Sequence, residues 1–349
     1  MRGLRLTKRG KIIAGVGILA AGVVALSTIL ALAGKNPPVI GPIGHAITGK
    51  KGEPTTCPLT DLPRKHVPNR PALALKVENL PEARPQAGLN GADIVYEEPV
   101  EGGITRFIAV YQCQDAARVG PVRSARFTDV SVLKQYDRPL FGFAGAAPPV
   151  VAAVDHSGVR DLNFNIAVDA YYRDPNRSEP HNLYTSTKAL YKASAGARGA
   201  PDPVFSYDAD PPDHAKKATI AHLDFSASSD VYWHWNAKRG VWLRSHGDVP
   251  HMLEGDVQVY AKNVVVQVVR IKMTGIHDAA GNFSPEAITV GSGKAYVFRS
   301  GHMIVGRWLR ESGDDVTKFV TKSGDTISLA PGKTWVELYP SNDPAVATR

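Results

Sequence analysis

Between positions 97 and 126 the chain concentrates its acids and arginines. Glu97, Glu98 and Glu101 run up to a Gly102-Gly103 pair and Arg106, and the segment VGPVRSAR (119–126) adds Arg123 and Arg126. Acids packed this closely can act as a general acid and base or hold a cation. The plainer reading of each is a solvated turn residue with one ion pair. The arginines say more. Ser124 is a good N-cap, and Phe127, Val130 and Leu133 recur at helical spacing, which predicts a helix over Ser124–Tyr136. Cations at a helix N-terminus face the positive end of its dipole and are disfavoured there. Two of them after a Gly-Pro turn fit an anion site built from helix N–H groups and guanidinium forks. They fit equally well an internal pairing with Glu97, Glu98 or Glu101.

A second polar segment, YYRDPNRSEPHNLY (171–184), carries Arg173, His181 and Asn182. Pro180 biases Glu179 away from helical backbone, which puts His181 and Asn182 in an ordered turn. Imidazole titrates near neutrality, so His181 is the leading candidate for proton transfer, with His156 second and a structural histidine as the plain alternative for each. Arg173 and Asn182 join Arg106, Arg123 and Arg126 as candidate ligand-binding residues. Catalytic roles are open only to Glu97, Glu101 and His181. Ser157, beside His156, lacks the GxSxG setting of a nucleophile elbow. Gly291–Lys294 and Gly332–Thr334 lack phosphate-loop spacing and read as turns. Val231, Trp233 and Trp235 alternate onto one strand face, which predicts a packed sheet surface rather than a sugar platform. No metal-ligand spacing occurs, and no cofactor is implied.

The elements that must position these residues follow from composition and periodicity. Of 349 residues 43% are hydrophobic and 21% charged, enough to bury a core and to exclude wholesale disorder. The formal charge of +8 is confined to one end. Residues 1–35 hold six basic and no acidic side chains, leaving 35 basic and 33 acidic beyond them, so a nucleic-acid partner is disfavoured. From Ile12 to Ala33 no charge interrupts an apolar run long enough to cross a bilayer. With the basic cluster before it, 1–34 is expected to be a cytoplasmic stub and a single-pass signal anchor to the membrane, with the rest outside the cytoplasm. A cleaved signal peptide is the competing reading.

A Pro/Gly-rich linker, 35–56, leads to a first domain at 57–200 with mixed strands and helices. Its strands are expected at Ala72–Val77, Ile94–Glu97 and Ile104–Gln112, and its helices at Ser124–Tyr136, Pro149–Val154 and Thr187–Ala197. A Pro/Asp-rich break at 201–217 precedes a strand-only second domain at 218–349. The expected class is α+β, with a mixed α/β first domain and an antiparallel β-rich second one. Cys57 and Cys113 are the only cysteines. In an oxidising exterior they are expected to form a disulfide, contributing on the order of 4 kcal/mol by the chain-entropy model, with two buried unpaired thiols as the plain alternative.

Four stretches resemble one known family. ARPQAGLNGADIVYEEPVEGGITRFIAVYQ (83–112), VGPVRSAR (119–126), YRDPNRSEPHNLYTS (172–186) and PGKTWVELYP (331–340) are similar to the YerB-like family of bacterial lipoproteins, over roughly residues 58–340. The resemblance implies an N-terminal α+β domain, a β-rich C-terminal one and an extracytoplasmic, membrane-attached protein. It implies no activity and no site residue, because the family's domains have no known function. Many relatives look like lipoproteins with an N-terminal lipid-bearing cysteine, whereas this chain has an apolar run there and no cysteine within it.

The leading expectation is a cell-envelope module that binds an anionic ligand such as a wall glycan, a polyprenyl phosphate or a peptide. Arg106, Arg123 and Arg126 would meet the anion, Glu97 and Glu101 would orient the guanidinium groups, and His181 and Asn182 would lie at the rim. The alternatives are an envelope hydrolase or transferase acting on a glycosyl or phosphoryl group through Glu97 or Glu101, and a structural partner of a membrane complex.

Overall fold

In this computed structural model the described residues are 55–210, 215–278 and 280–340, with a two-residue strand at Ala347–Thr348. The basic stub, the expected anchor and nearly all of the linker lie outside them. Among the described residues no helix is long and apolar enough to cross a membrane.

Three strands of the first half are buried on both faces: β1 (Leu73–Glu78), β2 (Ile94–Pro99) and β3 (Thr105–Tyr111). β3 lies between the other two, antiparallel to both. Beyond β1 the sheet continues in parallel with β4 (Leu140–Gly142) and β5 (Arg160–Asp161). Because side chains alternate across a strand, Leu75, Val77, Val95 and Phe107 face one core and Ala74, Tyr96 and Ile108 the other.

Three α-helices occur among the described residues, one at each place the sequence suggests. The first, α1 (Phe127–Leu133), is shorter than expected at both ends. Ser124 does not cap it. The Asp129 carboxylate accepts the Arg126 backbone N–H at 2.5 Å and ends the helix there. A second helix, α2 (Pro148–Asp155), begins on proline, which suits a first turn. The third, α3 (Thr187–Ala193), is capped by Ser186, whose hydroxyl accepts from the Ala189 N–H at 3.1 Å. Left-handed backbone at Ala195 and Gly196 stops it before Ala197.

The second half is strands throughout, but it is neither wholly antiparallel nor separate. Its strand Thr334–Pro340 runs parallel to Asn263–His277 on one side and to β2 on the other. One twelve-stranded sheet therefore spans both halves. α1 and α2 cover one face of this sheet. A smaller sheet containing Ile220–Ser226, Ser229–Asn236 and Val241–His246 packs on the other, with Trp233 and Trp242 fully buried against it. The expected face of Val231 and Trp233 is thus core. The two cysteines are bridged, with Cα atoms 5.9 Å apart.

Candidate functional site

The consecutive acids Glu97 and Glu98 leave β2 on opposite faces. Glu97 points toward the small sheet, where Arg244 donates to both of its oxygens at 2.8 Å and both side chains are fully buried. Thr105 adds a hydroxyl at 2.6 Å. Across the junction of the halves Glu97 sits opposite Glu337. Two carboxylates so close cannot both stay charged in a dry interior. Burial, and then the Glu97 charge, push Glu337 well above the usual range, and Trp233 donates to it at 2.7 Å. Arg244 also contacts His251 at 2.7 Å, and His251 reaches Gln86 at 2.9 Å. Burial, followed by the Arg244 charge, holds His251 well below the usual imidazole range.

Glu98 takes the other face. The buried Lys76 ammonium contacts it and also bonds Asp129 at 2.7 Å. One cation shared by two carboxylates leaves a surplus negative charge. Burial, opposed by Lys76 and aided by Asp129, raises Glu98 to about 7. Neither Glu97 nor Glu98 pairs with the sequence-singled arginines, and Glu97 orients Arg244 instead.

The arginines gather on the face of Glu98, around the segment 121–126 and the turn after β2. Arg126 forms a two-pronged pair with Glu101, both contacts at 2.6 Å. Burial alone would raise Glu101, but this pair leaves it below the usual carboxylate range. Arg123 donates from Nε to Glu78 at 2.8 Å. His181 Nδ1 lies 2.8 Å from the other oxygen of the same carboxylate. Arg106 stands directly across from Glu78 in the β1–β3 register and lies between the two pairs. It is 6% exposed, donates to the Ser124 carbonyl at 3.1 Å, and has a buried Nε with no partner. Burial, and next the Arg126 charge, lower it to about 10. A cleft of about 300 Å³ opens beside Arg126, lined also by Glu101, Ser124, Ala147 and His277. A larger cleft of about 690 Å³, lined by Val100, Ile271, Met273 and Phe283 among others, is mostly apolar and holds none of the sequence-singled residues.

The close packing of two loops brings His181 to Arg123. The Val122 N–H donates to Leu183 at 2.7 Å, and the Arg123 N–H to Lys76 in β1 at 2.9 Å. Gly120, at φ +151°, makes this approach possible. A Cβ there would lie 2.7 Å from the Tyr184 ring and 2.8 Å from the Leu183 carbonyl. Farther along the loop, Arg118 packs on the Tyr184 ring at 3.7 Å, and Arg177 donates to the Pro85 carbonyl at 3.0 Å. Arg173 is at the edge, half exposed, bonding the buried Asn182 at 2.7 Å and Glu179 at 3.1 Å. Arg106, Arg123, Arg126, Glu101 and His181 are therefore neighbours, Arg173 and Asn182 border them, and Glu97 is excluded. Glu78, Lys76, Arg244 and Gln86 were not singled out. For the first two a signal existed: charges at alternate positions of the apolar run LALKVE.

Comparison with known proteins agrees with this arrangement of halves. Two family models, for the N-terminal and C-terminal domains of a protein of unknown function (DUF3048), match residues 59–200 and 221–336. The chain is 30% identical over 297 residues to the protein named "Putative lipoprotein YerB" of Bacillus subtilis (strain 168), covering 82% of this chain and 87% of that one. The crystal structure of the YerB protein from Bacillus subtilis superposes with a TM-score of 0.73 at 26% identity, over 84% of this chain and 99% of that one. The chain belongs to the DUF3048, YerB-like family.

Proposed function

We propose that this protein is an extracytoplasmic, membrane-attached binding module for an anionic ligand of the cell envelope, and that Arg106, Arg123 and Arg126 hold the anion. The observation that carries the reading is Arg106. A buried guanidinium with an unsatisfied N–H is costly, and here Arg106 lies between two arginine–glutamate pairs with no carboxylate in hydrogen-bond reach, since Glu98 across from it on β2 is held by Lys76. An anion entering beside Arg126 would supply the acceptor that the Arg106 guanidinium lacks. Glu97 and Glu101 are both engaged by arginines, which favours binding over an acid/base role for either. The compartment rests on the disulfide, on the basic-then-apolar N-terminal sequence and on the similarity to a protein named as a lipoprotein. Both cysteines of this chain are used in the disulfide, so attachment is assigned to the apolar run rather than to a lipidated cysteine.

The test is calorimetric titration of the full chain, in neutral detergent, with inorganic phosphate and with farnesyl phosphate. Saturable binding that Arg106→Met weakens at least tenfold, with Arg173→Ala near wild type, would support the site. Absence of saturable binding by either probe to the folded protein would defeat it.

A further inference from the structure

We propose that Lys76 and Asp129 condense into an amide, a covalent cross-link between β1 and α1, with Glu98 relaying the protons. The inference is independent of the anion-binding reading above.

Lys76 and Glu98 leave their strands on the face of the core that contains Ala74, Tyr96 and Ile108, and α1 brings Asp129 to them. All three side chains are fully buried, and the one ammonium contacts both carboxylates. Keeping such a trio charged in a dry interior is costly. Condensation replaces one ammonium and one carboxylate by a neutral amide, and the absence of water protects the product from hydrolysis.

The Asp129 carboxyl is placed as the electrophile. Its Oδ1 lies 2.7 Å from Lys76 Nζ, so the carboxyl carbon is one covalent bond farther on, at the edge of the ~3–3.5 Å range from which bonds form. Its Oδ2 accepts the Arg126 backbone N–H at 2.5 Å, a donor aimed where negative charge develops as nitrogen adds. Glu98 is the proton carrier. It contacts Lys76 through Oε1, and its buried Oε2 has no hydrogen-bond partner. Burial raises it to about 7, which suits a group that must take and return a proton near neutrality. In the step, Lys76 passes a proton to Glu98 and the freed lone pair attacks the Asp129 carbon. The C–N bond forms and the C–Oδ1 bond breaks. Of the three ammonium protons one stays on the amide nitrogen, and two leave with Oδ1 as water. Nothing is oxidised or reduced, and Glu98 ends as it began.

Peptide mapping of the reduced full chain by mass spectrometry tests the bond directly. Trypsin spares bonds before proline, so without the cross-link it cuts after Lys76 and releases 66–76, 77–106 and 127–134 separately. With the cross-link, Lys76 is no longer a cleavage site. Residues 66–106 should then appear joined to 127–134, lighter than their sum by one water, with fragmentation placing the link at Lys76 and Asp129. Unlinked peptides alone from the folded wild type would overturn the inference. So would a link from Lys76 to Glu98, seen as a single 66–106 peptide lighter by one water. Glu98→Gln keeps the shape of the side chain but cannot carry the proton. Its linked fraction should fall at least tenfold, since a positioned proton carrier is worth about 10²–10⁴-fold in rate. An undiminished link in that variant would refute the relay. Should Glu98→Gln fail to fold, Glu98→Asp, which keeps the acid but draws it back by one carbon, should also link at least tenfold less, and linkage at the wild-type level would count against Glu98.

Discussion

The two faces of β2 and β3 carry the same pair of functional groups in opposite circumstances. On one face Arg244 and Glu97 are sealed under the small sheet, with no exposure on either side chain. On the other, Arg126 and Glu101 line a cleft, Arg123 pairs with Glu78, and both guanidinium groups reach solvent. A sealed pair tolerates no loss of a partner and offers nothing to a ligand. A pair at a cleft contributes less to folding and can share its cation with an incoming anion. What separates structural from functional arginines here is therefore the covering layer.

That contrast can be broken by mutation. The largest effect is expected from Arg244→Met, which strands Glu97 opposite Glu337. Urea denaturation should show a loss of about 3–5 kcal/mol, partly restored by adding Glu97→Gln. Next comes Gly120→Ala, whose methyl group forces apart the loops bearing Arg123 and His181. A destabilisation of about 1–3 kcal/mol is expected, with a matching loss of phosphate binding by calorimetry. Arg126→Ala should cost about 1–2 kcal/mol yet abolish anion binding, the reverse of the balance at Arg244. Arg173→Ala, at the exposed edge, should stay within about 0.5 kcal/mol of wild type.

The sealed face also predicts a pH dependence. Burial keeps the Glu337 carboxyl protonated to higher pH in the folded chain than in the unfolded one, where its ordinary value is 4.5. Glu98 behaves alike up to about 7. The contribution of these two carboxyls therefore falls as pH rises through 5 to 7, while burial holds His246 and His251 below the usual imidazole range and their contribution rises over the same window. Denaturation midpoints of wild type and Glu337→Gln at pH 5 and pH 7 should isolate the carboxyl, with the variant gaining stability relative to wild type as pH rises.

Much of this was legible in the sequence. The alternation in Thr105–Tyr111 and the apolar runs at Leu73–Glu78 and Thr334–Pro340 mark their strands to within a residue or two. The same alternation applied to Glu97-Glu98 separates the two acids, but it cannot name their partners. Arg244 lies 147 residues from Glu97. Such pairing is set by how the halves meet, and local pattern carries no trace of it. Ser124 misled because its side chain suits a cap, while Asp129 already answered both the helix start and Lys76. Glu78 went unnoticed since a glutamate ending a strand resembles a surface residue, although its alternation with Lys76 marked both as buried and paired.

The position of Thr334–Pro340 has a bearing on the timing of synthesis. This strand is central to the sheet, yet it leaves the ribosome 240 residues after β2, beside which it lies. At about 5–20 residues per second, that neighbour waits roughly 12–48 s with one edge open. The first half cannot close on itself as it emerges, and Glu97 has no Arg244 to meet. A chain that cannot finish its main sheet until this late strand arrives stays threadable for longer.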